Sequence, residues 1–170
     1  MAERQEQVAP DTLLTRIGQI VMLHHGGDRE EARQRFLDVW AEICEHGDPL
    51  HRCTLARYLA DTQDDPADEL AWDLRALTAA EELADDRPAL TAAEEGTGGG
   101  SAPHRGASAA RALYPALHLD LAADYRKLGR PEAARSHLRR ARAAADALAD
   151  DDYGDAVRAA IRSLESRMGD

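Results

Sequence analysis

Aromatic residues, cysteine and long apolar runs are all scarce in this chain, and each scarcity excludes a class of protein. Two cysteines in 170 residues are too few for a disulfide-stabilised scaffold. No apolar run approaches the about 20 residues that a membrane-spanning helix needs. The polar first ten residues also lack the apolar centre of a signal peptide. We therefore expect a cytoplasmic protein that does not contact a membrane.

The low aromatic content also limits the kind of core that the chain can build. Aromatic side chains make up 4% of the residues, while alanine is abundant. Such a core has few large anchors and favours helices that approach each other closely. The formal net charge is −11, and a surface of this sign repels phosphate backbones, so we expect no nucleic-acid partner. The chain length suits one domain.

Apolar residues recur every three and four positions, which predicts α-helices and no strand. Residues typical of helix ends separate these stretches, notably Gly26-Gly27, Asp48-Pro49, Asp65-Pro66 and Gly129. We predict seven helices. Their apolar faces should contain Leu13, Ile17, Ile20 and His24, then Ala32, Phe36, Val39, Trp40 and Ile43, then Leu55, Tyr58, Leu59 and Thr62, then Ala67, Leu70, Ala71, Leu74 and Leu77, then Leu117, Leu121, Ala122, Tyr125 and Leu128, then Ala134, Leu138, Ala141, Ala145 and Leu148, and last Tyr153, Val157, Ile161, Leu164 and Met168.

The hairpin at 113–148 has the most regular spacing of small and large residues. They are Leu121, Ala122, Tyr125, Gly129, Ala134, Leu138 and Ala141. In this spacing the hairpin resembles the tetratricopeptide repeat (TPR), a helix–turn–helix unit of about 34 residues. Ala32 and Ala67 lie about one repeat apart, and Ala67 and Ala134 about two.

The resemblance implies one all-α domain over 11–168, a TPR-like array of three helix–turn–helix hairpins plus a C-terminal capping helix. Residues 1–10 should be a disordered N-terminus. Residues 96–107 are rich in Gly, Ser and Pro and lack periodicity, which predicts a flexible loop. That loop is either a surface insertion between hairpins, or a segment that separates two pieces or orders on binding. Pro115 suits the first turn of the fifth helix.

In TPR arrays the first helix of each pair lines a concave groove that binds a peptide or protein segment. The resemblance therefore implies that the first, third and fifth helices line such a groove here. Two cations near its end, Arg126 and Lys127, would bind an acidic or C-terminal segment. The alternative is that both are ordinary cations near a helix C-terminus. The predicted partner-binding residues are Arg126, Lys127, His24, His25, Arg57 and Ala123.

Four sulfur and imidazole side chains lie close together around the second turn. They are Cys44, His46, His51 and Cys53. Thiolate and imidazole are zinc ligands, and a turn can bring four of them together. The alternative is that Cys44 is a small buried apolar residue and that both histidines are exposed.

No motif for catalysis is present, so we expect a non-catalytic protein–protein interaction scaffold. The alternative from another class is a small-ligand or zinc sensor that uses the cysteine and histidine turn. An enzyme with a pocket between helices has less support, because no acid–base pair is clustered in the sequence. A homodimer is also open, because Leu14 and Val21 lie beside the main apolar stripe of the first helix.

Overall fold

The computed structural model describes residues 10–43, 46–85 and 102–169. Within these ranges the chain is all α-helical, as predicted, with seven helices and no strand. None of these helices is both long and apolar enough to cross a bilayer. The helices are α1 (Pro10–His25), α2 (Arg29–Ile43), α3 (Pro49–Asp61), α4 (Pro66–Asp85), α5 (Ala102–Lys127), α6 (Pro131–Ala145) and α7 (Asp152–Gly169).

The predicted disordered N-terminus falls almost wholly outside the described residues. Of residues 1–10, the structure describes Pro10, which is the first residue of α1.

Aspartate followed by proline starts both α3 and α4, as the sequence predicts. The Asp48 side chain accepts hydrogen bonds from the backbone N–H groups of Leu50 (2.9 Å) and His51 (3.2 Å). Asp65 Oδ1 accepts one from Ala67 N at 2.7 Å. These bonds satisfy N–H groups that have no partner within the helix.

Two glycines with positive φ end α1 and α5 in the same way. Gly27 has φ +102° and Gly129 has φ +66°. The Gly129 N–H donates to the Arg126 carbonyl (3.0 Å) and the Arg130 N–H to the Tyr125 carbonyl (2.8 Å). The equivalent two bonds follow α1. Both turns are therefore Schellman motifs, which favour glycine because other residues are strained at positive φ.

Each helix packs against the next along the chain. Three clusters of buried apolar residues follow, joining α1–α2–α3, α3–α4–α5 and α5–α6–α7 in turn. In addition α1 contacts α3, and α7 contacts α5. The described helices are thus linked by a row of overlapping cores. Most of the residues predicted for the apolar faces of α1, α2, α3, α5 and α6 are buried in the core. The exceptions, which are half-buried, are His24, Trp40, Ile43, Tyr58, Tyr125, Leu128 and Leu148.

The predicted buried face of α4 is wrong. Ala67 and Leu74 are exposed, whereas the buried face carries an aspartate and small residues: Asp73, Ala76, Ala79 and Ala80. The reason is that α4 packs against both α3 and α5, and small side chains permit that close approach. The larger Leu70 and Leu77 lie half-buried beside this face.

The start of α5 also differs from the prediction. Of the loop expected at 96–107, residues 102–107 belong to α5, and 96–101 lie outside the described residues. Pro115 is a fully buried residue in the middle of this helix rather than in its first turn. A proline there removes one backbone hydrogen bond, and burial between packed helices offsets that cost.

The apolar face of α7 is confirmed except at its first residue. Val157, Ile161 and Leu164 are buried, but Tyr153 is 48% exposed and not part of the core. Its hydroxyl instead donates a hydrogen bond to the Ala112 carbonyl of α5 at 3.2 Å. Tyr153 is thus a polar link between two helices.

Candidate functional site

A groove lies between α3 and α5 and encloses a cavity of about 340 Å³. One face of α3 supplies most of its wall, and α5 supplies the other side. The wall is both apolar and charged, which is typical of a binding surface. The lining residues are Cys53, Thr54, Arg57, Tyr58, Asp61 and Leu113.

Arg57, a predicted partner-binding residue, lines this groove but is already paired. Its Nε and Nη2 donate to Oδ2 of Asp120 on α5, at 3.2 and 2.9 Å. Burial raises the pKa of Asp120, although Arg57 opposes that rise. The pair holds α3 against α5.

Lys127 is paired as well. Its Nζ lies 2.6 Å from both carboxylate oxygens of Glu69 on α4 and 3.5 Å from Oδ1 of Asp124. Its predicted companion Arg126 is exposed, and within the described residues its side chain makes no ion pair. The two cations expected to bind an acidic segment are therefore not equivalent, because Lys127 belongs to an internal network.

Two buried aspartates meet between α4 and α5. Asp73 is 4% exposed and Asp124 is 1% exposed, and a hydrogen bond between their carboxyl groups requires a proton on one of them. Burial and the neighbouring carboxylates raise the pKa of Asp73 to about 10. Burial raises the pKa of Asp124 to about 6. The pair therefore shares a proton at neutral pH.

Together these side chains form what we call the acidic cluster. It contains five acidic residues and two cations, all from α3, α4 and α5. Within the described ranges, Oδ2 of Asp124 is the one buried side-chain oxygen or nitrogen that has no hydrogen-bond partner. The members are Asp61, Glu69, Asp73, Asp120 and Asp124, with Arg57 and Lys127.

Asp61 is the acidic residue of this cluster that lines the groove. It is solvent-accessible and makes no ion pair with the rest of the described chain. Burial raises the pKa of the Asp61 carboxyl group, while Arg57, His24 and Lys127 lower it. Its carboxylate is thus available to a ligand.

The other predicted groove residues are spread over different surroundings. His24 on α1 is half-buried and lies near enough to Asp61 to influence its carboxyl group. His25 is exposed, with its ring centroid 5.7 Å from that of His24. Ala123 packs against the core shared by α5, α6 and α7 and does not line the cavity.

The predicted zinc ligands are not brought together among the described residues. Cys53 is fully buried, and burial raises the pKa of its thiol to about 11, which disfavours the thiolate that zinc needs. His51 lies 3.9 Å from Asp48, and His46 is exposed. Cys44 lies outside the described residues. Nowhere in the described ranges do three potential ligands meet as a metal site.

A pair of histidines joins α5 to α6. Nδ1 of His118 lies 3.1 Å from Nδ1 of His137, and the Tyr125 ring stacks on His137. Burial lowers the pKa of His118 to about 4, with His137 and Arg140 adding to the effect. One neutral imidazole therefore donates to the other, and the pair serves to hold the helices together.

A second, more open depression of about 600 Å³ lies at the start of α2. Helix N-termini attract anions. Asp28, Glu30 and Glu31 line this depression. The carboxylates of the protein itself therefore already occupy the place that an anionic ligand would take. It offers no distinct binding chemistry.

The buried acids are the site residues that sequence reasoning missed. Asp124 falls three residues after Leu121 and seven after Leu117, a position on the apolar stripe of its helix. Asp73 lies three residues before Ala76 on the small-residue face of α4. The position of Asp124 on an apolar stripe was therefore a readable signal, whereas that of Asp73 was not, because the buried face of α4 depends on the helices packed against it.

No known protein family, characterised protein or solved structure matches this chain. The resemblance to the TPR thus depends on spacing and turns alone and remains a prediction. The geometry of the groove is the basis for any statement about function.

Proposed function

We propose that this chain is a non-catalytic interaction module that binds a segment of another protein in the groove between α3 and α5. In this proposal the paired helices form a TPR-like array, with α7 as its cap. Support comes from the sequential packing of the helices, the contact of α1 with α3, and the matching turns at Gly27 and Gly129.

The observation that carries the proposal is the cavity between two alternate helices. Its volume of about 340 Å³ suits one or two side chains of an extended segment. Tyr58 and Leu113 offer apolar contact, and Thr54 and Asp61 offer polar contact on the same wall. A cavity wall that offers both apolar and polar contacts suits the recognition of a peptide segment.

The position of the most perturbed acids favours binding over acid–base chemistry. Asp73 and Asp124 are almost fully buried, and neither lines the cavity. A molecule in the groove would not touch them, and a general acid or base must lie within hydrogen-bond reach of its substrate.

Site-specific photo-crosslinking tests the proposal. A photoreactive residue at Thr54, inside the groove, should capture a discrete partner in native lysate. The same residue at Arg139, exposed on α6, is the control and should not. Thr54→Arg fills the groove. It should abolish capture of the partner by a photoreactive residue placed at a distance from the groove, and it should leave the helical circular dichroism unchanged. Identical crosslinks from both positions, or none from Thr54, would reject the groove as the binding surface.

A further inference from the structure

We infer that the groove takes a basic segment, with one lysine or arginine side chain entering the cavity and its charged end at Asp61. This rests on the proposed function of the groove and names the chemistry of the partner. It reverses the expectation of an acidic partner, which depended on Arg126 and Lys127, because Lys127 is already paired with Glu69 and Asp124.

The first step is the charge that remains after internal pairing. Arg57 is committed to Asp120, and Lys127 to Glu69 and Asp124. The acidic cluster has five acidic residues for these two cations, so negative charge is left over even with a shared proton on the buried pair.

The second step is where that charge can be reached. Asp61 is the acidic residue that both lines the cavity and makes no ion pair within the described ranges. The Asp61 side chain is accessible from solvent, so a cation can reach it. Charge-assisted hydrogen bonds from ammonium or guanidinium groups are then strong.

The third step is the shape of the cavity wall. Tyr58 and Leu113 line the same cavity as Asp61. Lysine and arginine have long apolar stems that pack on such surfaces while the charged end reaches a polar group. An arginine could also stack on the Tyr58 ring. The cavity therefore offers contacts for both parts of one basic side chain.

Long-range forces act in the same direction. The chain carries a formal net charge of −11, which attracts cationic segments and speeds their association. Asp124 adds an unpaired carboxylate oxygen within the acidic cluster. An acidic segment would meet repulsion and would have to break the ion pair of Arg57 or of Lys127.

Selection from a library of short random peptides, displayed on phage and screened on the full chain at about 0.15 M salt, tests this inference. We expect selected peptides to carry lysine or arginine beside apolar residues. Asp61→Asn should weaken their binding by about tenfold, the usual effect of losing one charge-assisted contact. Asp146→Asn, the same change at the exposed end of α6, should weaken it less than about twofold, because distant exposed charges are screened.

The outcomes separate the inference from the proposal beneath it. Binding that Thr54→Arg abolishes and Asp61→Asn leaves intact would keep the groove and overturn the basic partner. Enrichment of acidic peptides, or equal losses with Asp61→Asn and Asp146→Asn, would overturn it too. Peptides that bind regardless of Thr54→Arg and Asp61→Asn would overturn the groove itself.

Discussion

Replacing Asp73 with asparagine tests the buried carboxyl pair directly. In the native chain the hydrogen bond to Asp124 requires a proton, because both carboxyl groups are buried. Asparagine has nearly the same shape and donates from its amide at any pH. Asp73→Asn should therefore keep the contact between α4 and α5 and remove its dependence on protonation.

The magnitude follows from the proton held by the folded state. The pKa of Asp73 is raised from 3.8 to about 10. A group with a raised folded pKa contributes stability that is fully present below its unfolded pKa and is lost as pH rises through the folded one. Each pH unit in this window costs about 1.4 kcal/mol per proton. Relaxation around a buried charge reduces the effect, so we expect on the order of 1 kcal/mol per unit.

Urea unfolding followed by circular dichroism at several pH values measures this slope. The range from about pH 7 to 9 is suitable, because the histidines are neutral there in the unfolded state. The free energy of unfolding of the native chain should fall across it. That of Asp73→Asn should fall much less, and at about pH 8 the variant should be more stable by roughly 1–3 kcal/mol.

Asp68→Asn is the matched control, because Asp68 is exposed on the same helix. Its curve should keep the native slope, and any contribution from the Cys53 thiol should appear in all three proteins alike. Parallel curves for the native chain and Asp73→Asn would refute the shared proton. So would a destabilisation by Asp73→Asn that is equal at every pH.

Three further experiments test individual contacts. Gly154→Ala places a Cβ against the carbonyl oxygen of Ala149 and should lower the free energy of unfolding in chemical denaturation by about 1–3 kcal/mol. Gly18→Ala, with open space around it, should raise it by up to about 1 kcal/mol. The same sign for both would contradict this packing. Asp48→Ala removes the cap of α3 and should lower the free energy of unfolding by about 0.5–2 kcal/mol, and an unchanged melting temperature would argue against the cap. In a Cys44→Ser background, Cys53 should react with a thiol reagent only on unfolding, because burial raises its pKa to about 11; rapid native labelling would show that it is accessible.

The sequence predicted most of the helices because their ends depend on local chemistry. Asp48 and Asp65 cap helices through their own side chains, and Gly27 and Gly129 supply positive φ. Such signals act within a few residues and do not depend on the rest of the fold.

The buried face of α4 could not be predicted in the same way. Hydrophobicity favours the leucines at 70, 74 and 77, but Asp73 and Ala76 are the buried residues. Which face a helix buries depends on how many neighbours it has and how closely they approach. Only the tertiary arrangement, with α3 and α5 both against α4, decides that.

The candidate site was predicted in part. Arg57 was placed in the groove by the resemblance, and it does line the cavity. The commitment of Lys127 to Glu69, 58 positions away in the chain, is a long-range contact that spacing cannot reveal. Ala123 lies away from the cavity because α5 is covered on more than one side.

Pro115 lies inside α5, which continues as one helix on both sides of it. The carbonyl of Arg111 cannot receive the usual helical hydrogen bond, and the Tyr153 hydroxyl holds the adjacent Ala112 carbonyl from outside. Leu113 precedes this proline, whereas Asp120 follows it, on the stretch that its ion pair with Arg57 links to α3. The side of the groove that Leu113 supplies therefore lies next to a missing backbone hydrogen bond, at the kind of position where helices bend most readily.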